Sequence, residues 1–516
     1  MKKRSLLLAL MLVFVGVFAS CKESGGDKTG GEETYKVPVS VVEFSDEDAA
    51  KVVTEATFST GDYTADAKGK ILPYDLFSDG MCLQRECVNR VFGKIDGANV
   101  QNVAILFNGK EYFGEVKNGA WEVYLPKMQA GGPFEMTVVC EAGRITLKDV
   151  YIGEVYLLSG QSNMAWKVSQ SEEVLESLYA DTEACKNDQI RMLSVPFNPA
   201  KTPQKVFLTT PSWDGAWAHS IKNFSAVGYL FGKEMQEELG CPVGLIDTSL
   251  GATCIEYWMD PETFDEVSKK TSYYVDTSVH YYTPSLGYNG GLYPLEGYNF
   301  RGFVWYQGCA NALTPGSDYA VKFEALIAML RRFFKNENLT ITACELARFY
   351  ENPLAYSKLN ASIAEVAKKD ELVGVAYNLD QGEWYDIHPK DKRVIAQRAA
   401  DETLRLFFGM SKNAPPKLVD WNQVSDTKVE LIFNEKVVLK NGSNGFEIFT
   451  AGGKGSYECE AKAKGKVVTV TSETPFTRIR YGYTFPVTAE TTEDVSKTVT
   501  VYDEGGLPLG LFSVNL

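Results

Sequence analysis

Five short apolar runs, at residues 155–158, 243–246, 303–306, 340–343 and 372–377, recur between segments of helical periodicity. No other feature restricts the chain as strongly. Ser225 suits the cap of a helix whose Val227, Phe231, Met235 and Leu239 share one face, and Gly240 and Pro242 would stop it. Residues 317–334 and 354–370 read as further amphipathic helices. Alternating strands and helices argue for an α/β domain over residues 149–409, built on a mostly parallel sheet with helices on both faces.

The flanks read differently. Residues 35–148 hold short strand-like runs, with hairpin breaks at Asn108-Gly109 and Asn118-Gly119 that suggest a β-sandwich module. Residues 410–516 return to strand signals in "TKVELIFNEKVVL" and "GKVVTVTSETPFTRIRYGYTF", a second β-rich module. A chain of 516 residues is too long for one core, so several domains are expected. At the N-terminus, Lys2-Lys3-Arg4 precedes an apolar stretch from Leu6 to Phe18, then Ala19-Ser20-Cys21. This has the form of a bacterial lipoprotein signal peptide over 1–20, with Cys21 as the lipid-modified residue and 21–34 as a flexible tether. A plain secretory signal is the alternative. The expected location is the cell envelope, with membrane contact only through the anchor. A formal charge of −15 argues against nucleic acid as a partner. Removing Cys21 leaves nine cysteines, an odd number, so at least one is free or paired between chains. Only three histidines occur, and no Cys/His cluster has metal spacing; neither a metal nor another cofactor is expected.

In an open parallel sheet the ligand lies beyond the carboxyl ends of the strands. Four strand ends here deliver Gly160-Gln161-Ser162-Asn163, Asp247-Thr248-Ser249-Leu250-Gly251, Gln307-Gly308-Cys309-Ala310-Asn311, and the segment leading to Asp386-Ile387-His388-Pro389. Acyl transfer needs this set: a serine hydroxyl, an imidazole to take its proton, N–H donors for the oxyanion, and a carboxylate to hold the imidazole. Pro389 suits the first position of a helix, which would put His388 at its mouth, with Ile395, Ala399 and Leu406 on one face. Taken singly, Ser162 could be a turn serine and His388 a cap. Asn311 and Gly251 could serve only their turns.

Together the motifs "GQSNM", "DTSLGATCIEYW", "FVWYQGCANA" and "DIHPKDK" resemble those of the sialate O-acetylesterase and acetylxylan-esterase-like group of the SGNH hydrolase superfamily, over roughly residues 70–516. The resemblance implies a flavodoxin-like three-layer hydrolase domain flanked by β-modules, cleaving acetyl esters from sialic acids or other glycans without a metal. It implies Ser162 as nucleophile, His388 as base and Asp386 as the acid. The Ser162 and Gly251 amides with the Asn311 side chain would form the oxyanion hole. Two positions depart from the group's pattern. Relatives read "WYQGES" where this chain has Cys309-Ala310, and "GGT" where it has Gly251-Ala252-Thr253. Losing that glutamate would leave Asp386 alone to support His388. The rival expectation is a weakened relative that binds acetylated glycan as a lipoprotein. Cys309 as a nucleophile, a lipase and a peptidase are weaker readings, the last two because no G-x-S-x-G elbow appears. Trp166, Trp258, Trp305 and Trp384 are candidates for the core or for stacking on sugar. His280, in a tyrosine-rich loop, is a lesser candidate for lining the sugar site.

Overall fold

The strand that carries the serine motif is much longer than its apolar run. In the computed structural model, which describes residues 38, 40–44, 47–55, 57–62, 69–96, 100–180, 185–273, 280–313 and 318–516, it spans Gly143–Gly160. Its first half pairs antiparallel with Gly131–Cys140. Its second half is the centre of a parallel sheet, between Val243–Asp247 and Gly302–Tyr306. The expected boundary near residue 148 thus falls inside one strand, next to Asp149 at φ 54°. The proposed signal, Cys21 and the tether lie outside the described residues.

Across the central sheet the strands run in the order Asp214–Ala216, Asn187–Ser194, Val243–Asp247, the long strand, Gly302–Tyr306, Thr340–Cys344 and Val373–Ala376, antiparallel only at the first edge. All five apolar runs lie mainly or wholly in these strands. Helices Ala226–Leu239 and Arg393–Phe407 pack together, as do Tyr319–Phe333 and Pro353–Lys369, and all four touch the sheet, Tyr319–Phe333 through Tyr319 Oη, which accepts from Trp305 Nε1 at 3.0 Å. The predicted caps form: Ser225 Oγ accepts from the Gly228 N–H at 2.9 Å, and Gly240 closes the helix in the left-handed region at φ 63°.

The N-terminal strands Asn102–Phe107, Lys110–Lys117 and Ala120–Leu125 are joined by the two predicted Asn-Gly turns, with positive φ at all four turn residues. That is the backbone of type I′ hairpins, whose twist matches the strands. These strands share one sheet and one continuous core with the central domain. The C-terminal strands form separate sheets around a second core that includes Val429, Leu431, Val468, Ile479 and Val501.

One expectation fails locally. Pro389 does not open the next helix, which begins at Arg393 after Lys392 as N-cap. Residues 389–392 instead run as a loop that carries the Lys392 side chain into the core, at 0% exposure.

Candidate active site

Ser162 stands where the central strand stops. Gly160 has φ 137°, and a Cβ there would strike the Tyr306 carbonyl of the neighbouring strand, so only glycine allows the sharp exit. Ser162 then begins a one-turn helix, Ser162–Ala165, and its N–H has no intrahelical acceptor at that position.

Buried amides knit the rim loops together. Gln161 Oε1 accepts from the N–H groups of Gly308 (3.0 Å) and Ala310 (3.2 Å). Gln307 Nε2 donates to the Thr253 carbonyl at 3.0 Å and to Asn311 Oδ1 at 2.7 Å. The Leu250 N–H donates to the Gly160 carbonyl at 3.1 Å. These bonds hold the ends of three adjacent strands in fixed register. Gly251 thereby faces the serine: a Cβ placed on it would lie 3.6 Å from Ser162 Cβ.

The fourth loop brings His388 to the serine. His388 Nε2 lies 2.8 Å from Ser162 Oγ, across 226 residues of sequence. A neutral imidazole with its proton on Nδ1 accepts the serine proton in this geometry. Asp386 Oδ1 stands 3.5 Å from His388 Nδ1 and accepts the His388 backbone N–H at 2.9 Å. The first contact is in ion-pair range but is long for a hydrogen bond. Trp166 stacks on the imidazole with centroids 4.7 Å apart. Burial, then the charge of Lys392, lower the His388 pKa below its usual 6.5, against the opposing pull of Asp386.

The motif residues meet with unequal clarity. Ser162, His388 and Asp386 converge, and Gly251 fronts them. Asn311 is buried in an adjoining network: its Oδ1 accepts from the Ile255 N–H at 3.0 Å, and its Nδ2 donates to Glu256 Oε2 at 3.0 Å. Glu256 in turn pairs with Lys322 at 2.7 Å. Trp258, Trp305 and Trp384 are core residues, so of the four tryptophans only Trp166 touches the site. His219 lies on an exposed helix, and the His280 side chain is outside the described residues.

Cys309 is packed and inert. It is 2% exposed, and burial pushes its thiol up to about 11, which disfavours the thiolate a nucleophile needs. Its neighbours are Tyr356, Lys392 and Asn163, whose Nδ2 lies 3.9 Å from the sulfur. All nine described cysteines are free thiols. Among the described residues no cluster of three or more His, Cys, Asp or Glu side chains is placed to hold a metal, and no helix is long and apolar enough to cross a membrane.

Sequence reasoning missed Asn163 and Lys392. Asn163 Nδ2 donates to the Ile387 carbonyl at 3.0 Å, and Asn163 Oδ1 accepts from Lys392 Nζ at 2.6 Å. Both residues lie inside quoted motifs; the missed signal was a lysine four residues after the histidine, in a stretch expected to be helical.

Comparison with known proteins shows what this rim is similar to. Residues 152–382 match the profile of the carbohydrate esterase, sialic acid-specific acetylesterase family. Human sialate O-acetylesterase is 28% identical over 326 residues, 56% of this chain and 61% of the relative. Mouse sialate O-acetylesterase is 32% identical over 254 residues, 42% and 47% of the two chains. The chain thus spans less than two-thirds of these relatives. The crystal structure of a carbohydrate acetylesterase from Xanthomonas citri superposes with a TM-score of 0.76 at 26% identity, covering 86% of this chain and 99% of the other. The family match contains Ser162, Gly251 and Asn311 but ends before Asp386 and His388. The structural match extends far beyond the family segment.

Proposed function

We propose that this protein is a carbohydrate O-acetylesterase, acting on acetylated sialic acids or other acetylated glycans. The observation that carries the reading is the 2.8 Å contact between His388 Nε2 and Ser162 Oγ at the end of a family-matched strand. Ser162 Oγ attacks the acetyl carbonyl while His388 Nε2 takes its proton. The oxyanion is held by the N–H groups of Ser162 and Gly251, with the Asn311 amide as third donor. His388 returns the proton to the departing sugar hydroxyl, leaving an acetyl-serine. Water, deprotonated by His388, attacks that ester; as the bond to Ser162 Oγ breaks, His388 passes the proton to Oγ and acetate leaves. Asp386 steadies the imidazolium formed in both steps.

The test is acetate release from a panel of acetylated glycans by wild type, Ser162→Ala and His388→Ala. Both variants should keep the fold and lose about 10²–10⁴-fold or more in kcat. Wild-type turnover in either one removes its assignment. The second reading, a slow relative that binds acetylated glycan, is favoured by one observation: the long Asp386 contact at 3.5 Å. Glycan binding by wild type without acetate release would establish it.

The N-terminal signal supports a lipid-anchored protein of the bacterial cell envelope, attached through Cys21. Cys21→Ser should move the protein from the membrane fraction to the soluble one; retention on membranes would refute the anchor.

A further inference from the structure

Lys392 ends the "DIHPKDK" motif with no exposed surface. Lysines are rarely buried without a carboxylate partner. None lies in ion-pair range of Lys392 among the described residues; its Nζ instead donates to Asn163 Oδ1 at 2.6 Å and stands 5.7 Å from the ring centres of Trp166 and Tyr306.

The consequence is geometric. A carboxamide can point either end towards a neighbour, but a lysine donates only and must meet the oxygen. Lys392 therefore forces Asn163 to present Nδ2 to the Ile387 carbonyl, at 3.0 Å. Asn163 follows the nucleophile and Ile387 precedes the base. Trp166, beside the ammonium, is also the ring stacked on His388.

We propose that Lys392 is a positioning residue of this site: through Asn163 it fastens the Ser162 turn to the His388 loop, with its ammonium set beside the Trp166 ring that stacks on His388. The inference rests on the Ser162–His388 reading above. The groups facing Lys392 are the thiols of Cys309 and Cys344, the carboxylates of Glu383 and Asp386, the phenol ring of Tyr306, and His388. Burial outweighs the carboxylates and lowers the lysine to about 7. Below that pH the ammonium opposes an imidazolium at His388. Above it the repulsion disappears, yet the amine still donates to Asn163, so the fastening persists.

The experiment compares wild type, Lys392→Met and Asn163→Leu. It reads the imidazole NMR titration of His388 and the pH profile of kcat/KM for para-nitrophenyl acetate. Methionine fills the lysine's space without the charge, so Lys392→Met should fold. His388 should then titrate at higher pH than in wild type, because the opposing charge is gone. A base must be neutral, so the acid limb of kcat/KM should move up with it. kcat should fall about 10- to 100-fold with little change in KM, the effect of a misplaced base. Asn163→Leu keeps the charge and cuts the link, so kcat should fall while the acid limb moves less. An unmoved His388 titration in folded Lys392→Met, or wild-type kcat in Asn163→Leu, overturns the proposal. If Lys392→Met does not fold, Asn163→Leu decides by its kcat. If wild type hydrolyses no ester, the hydrolytic reading fails, and the His388 titration still decides the charge effect.

Discussion

Asp386 approaches His388 to 3.5 Å with about 40% of its side chain exposed, so water competes for its oxygens. An exposed carboxylate at that distance stabilises an imidazolium less than a buried, hydrogen-bonded one. Asp386→Asn should therefore lower kcat by about 10²-fold, the mild end of the range for support of a general base, and steady-state kinetics measure it. The Cys309 pocket faces Lys392 and Asn163. Cys309→Glu should accordingly pair with the lysine rather than with His388. It should raise the Lys392 pKa and leave kcat near the wild-type value; a large gain in kcat would show a carboxylate reaching the imidazole. Ser162 and His388 were legible because the chain has few histidines and the serine follows an apolar strand. Asn163, Gln161 and Lys392 were not. Amides and lysines are ordinary surface residues in a sequence, and here their burial depends on which loops meet.

At the level of elements, strands and caps were legible because their signals are local: an apolar run, a serine before a helix, a glycine after it, Asn-Gly between strands. The start of the helix Arg393–Phe407 was not. Pro389 fits a first helical position, but Lys392 must reach Asn163, and the helix starts only after it. The loop after Gly251 shows the same tension. Ala252 adopts φ 65°, a left-handed conformation that costs a residue with a Cβ about 1–2 kcal/mol. Glycine relieves that strain but adds freedom to the unfolded chain, worth about 0.5–1 kcal/mol in the other direction. Ala252→Gly should thus stabilise the protein by about 0.5–1 kcal/mol in urea unfolding and leave esterase activity intact, since the change keeps the backbone N–H groups. A loss of stability would mean that the alanine methyl has a packing role outweighing its strain.

For the whole molecule, the sequence suggested a β-rich module ending at residue 148 and an α/β domain starting at 149, because hairpin signals give way to α/β signals there. The structure instead runs one strand through both regions and pins the joint with charge. Glu154, at 0% exposure, meets Arg85 Nε at 2.5 Å and Arg301 Nε at 2.9 Å, and accepts from Gln84 Nε2 at 2.9 Å. Arg85 and Gln84 come from the N-terminal region, and Arg301 immediately precedes a central strand. No local pattern announces such a cluster, since its members lie up to 217 residues apart, between Gln84 and Arg301. Burial alone would raise the Glu154 pKa, but Arg301 and Arg85 more than offset it, and the carboxyl titrates below its usual 4.5. Glu154→Gln keeps the shape and leaves two buried guanidinium groups with only Glu86, itself part-exposed, as counter-charge. Breaking a buried pair in this way costs about 3–5 kcal/mol, which should appear at pH 7 as a lower urea midpoint. The sign with pH follows from linkage. A carboxylate with a lowered folded pKa contributes stability that is fully present above its unfolded value and lost as pH falls through the folded one. Wild type should therefore lose on acidification below about 4.5 what the variant lacks at every pH, and the gap between them should narrow. A gap that stays constant down to the acid transition would mean that the glutamine is failing to pack, and that the charge of Glu154 is not what joins the two regions.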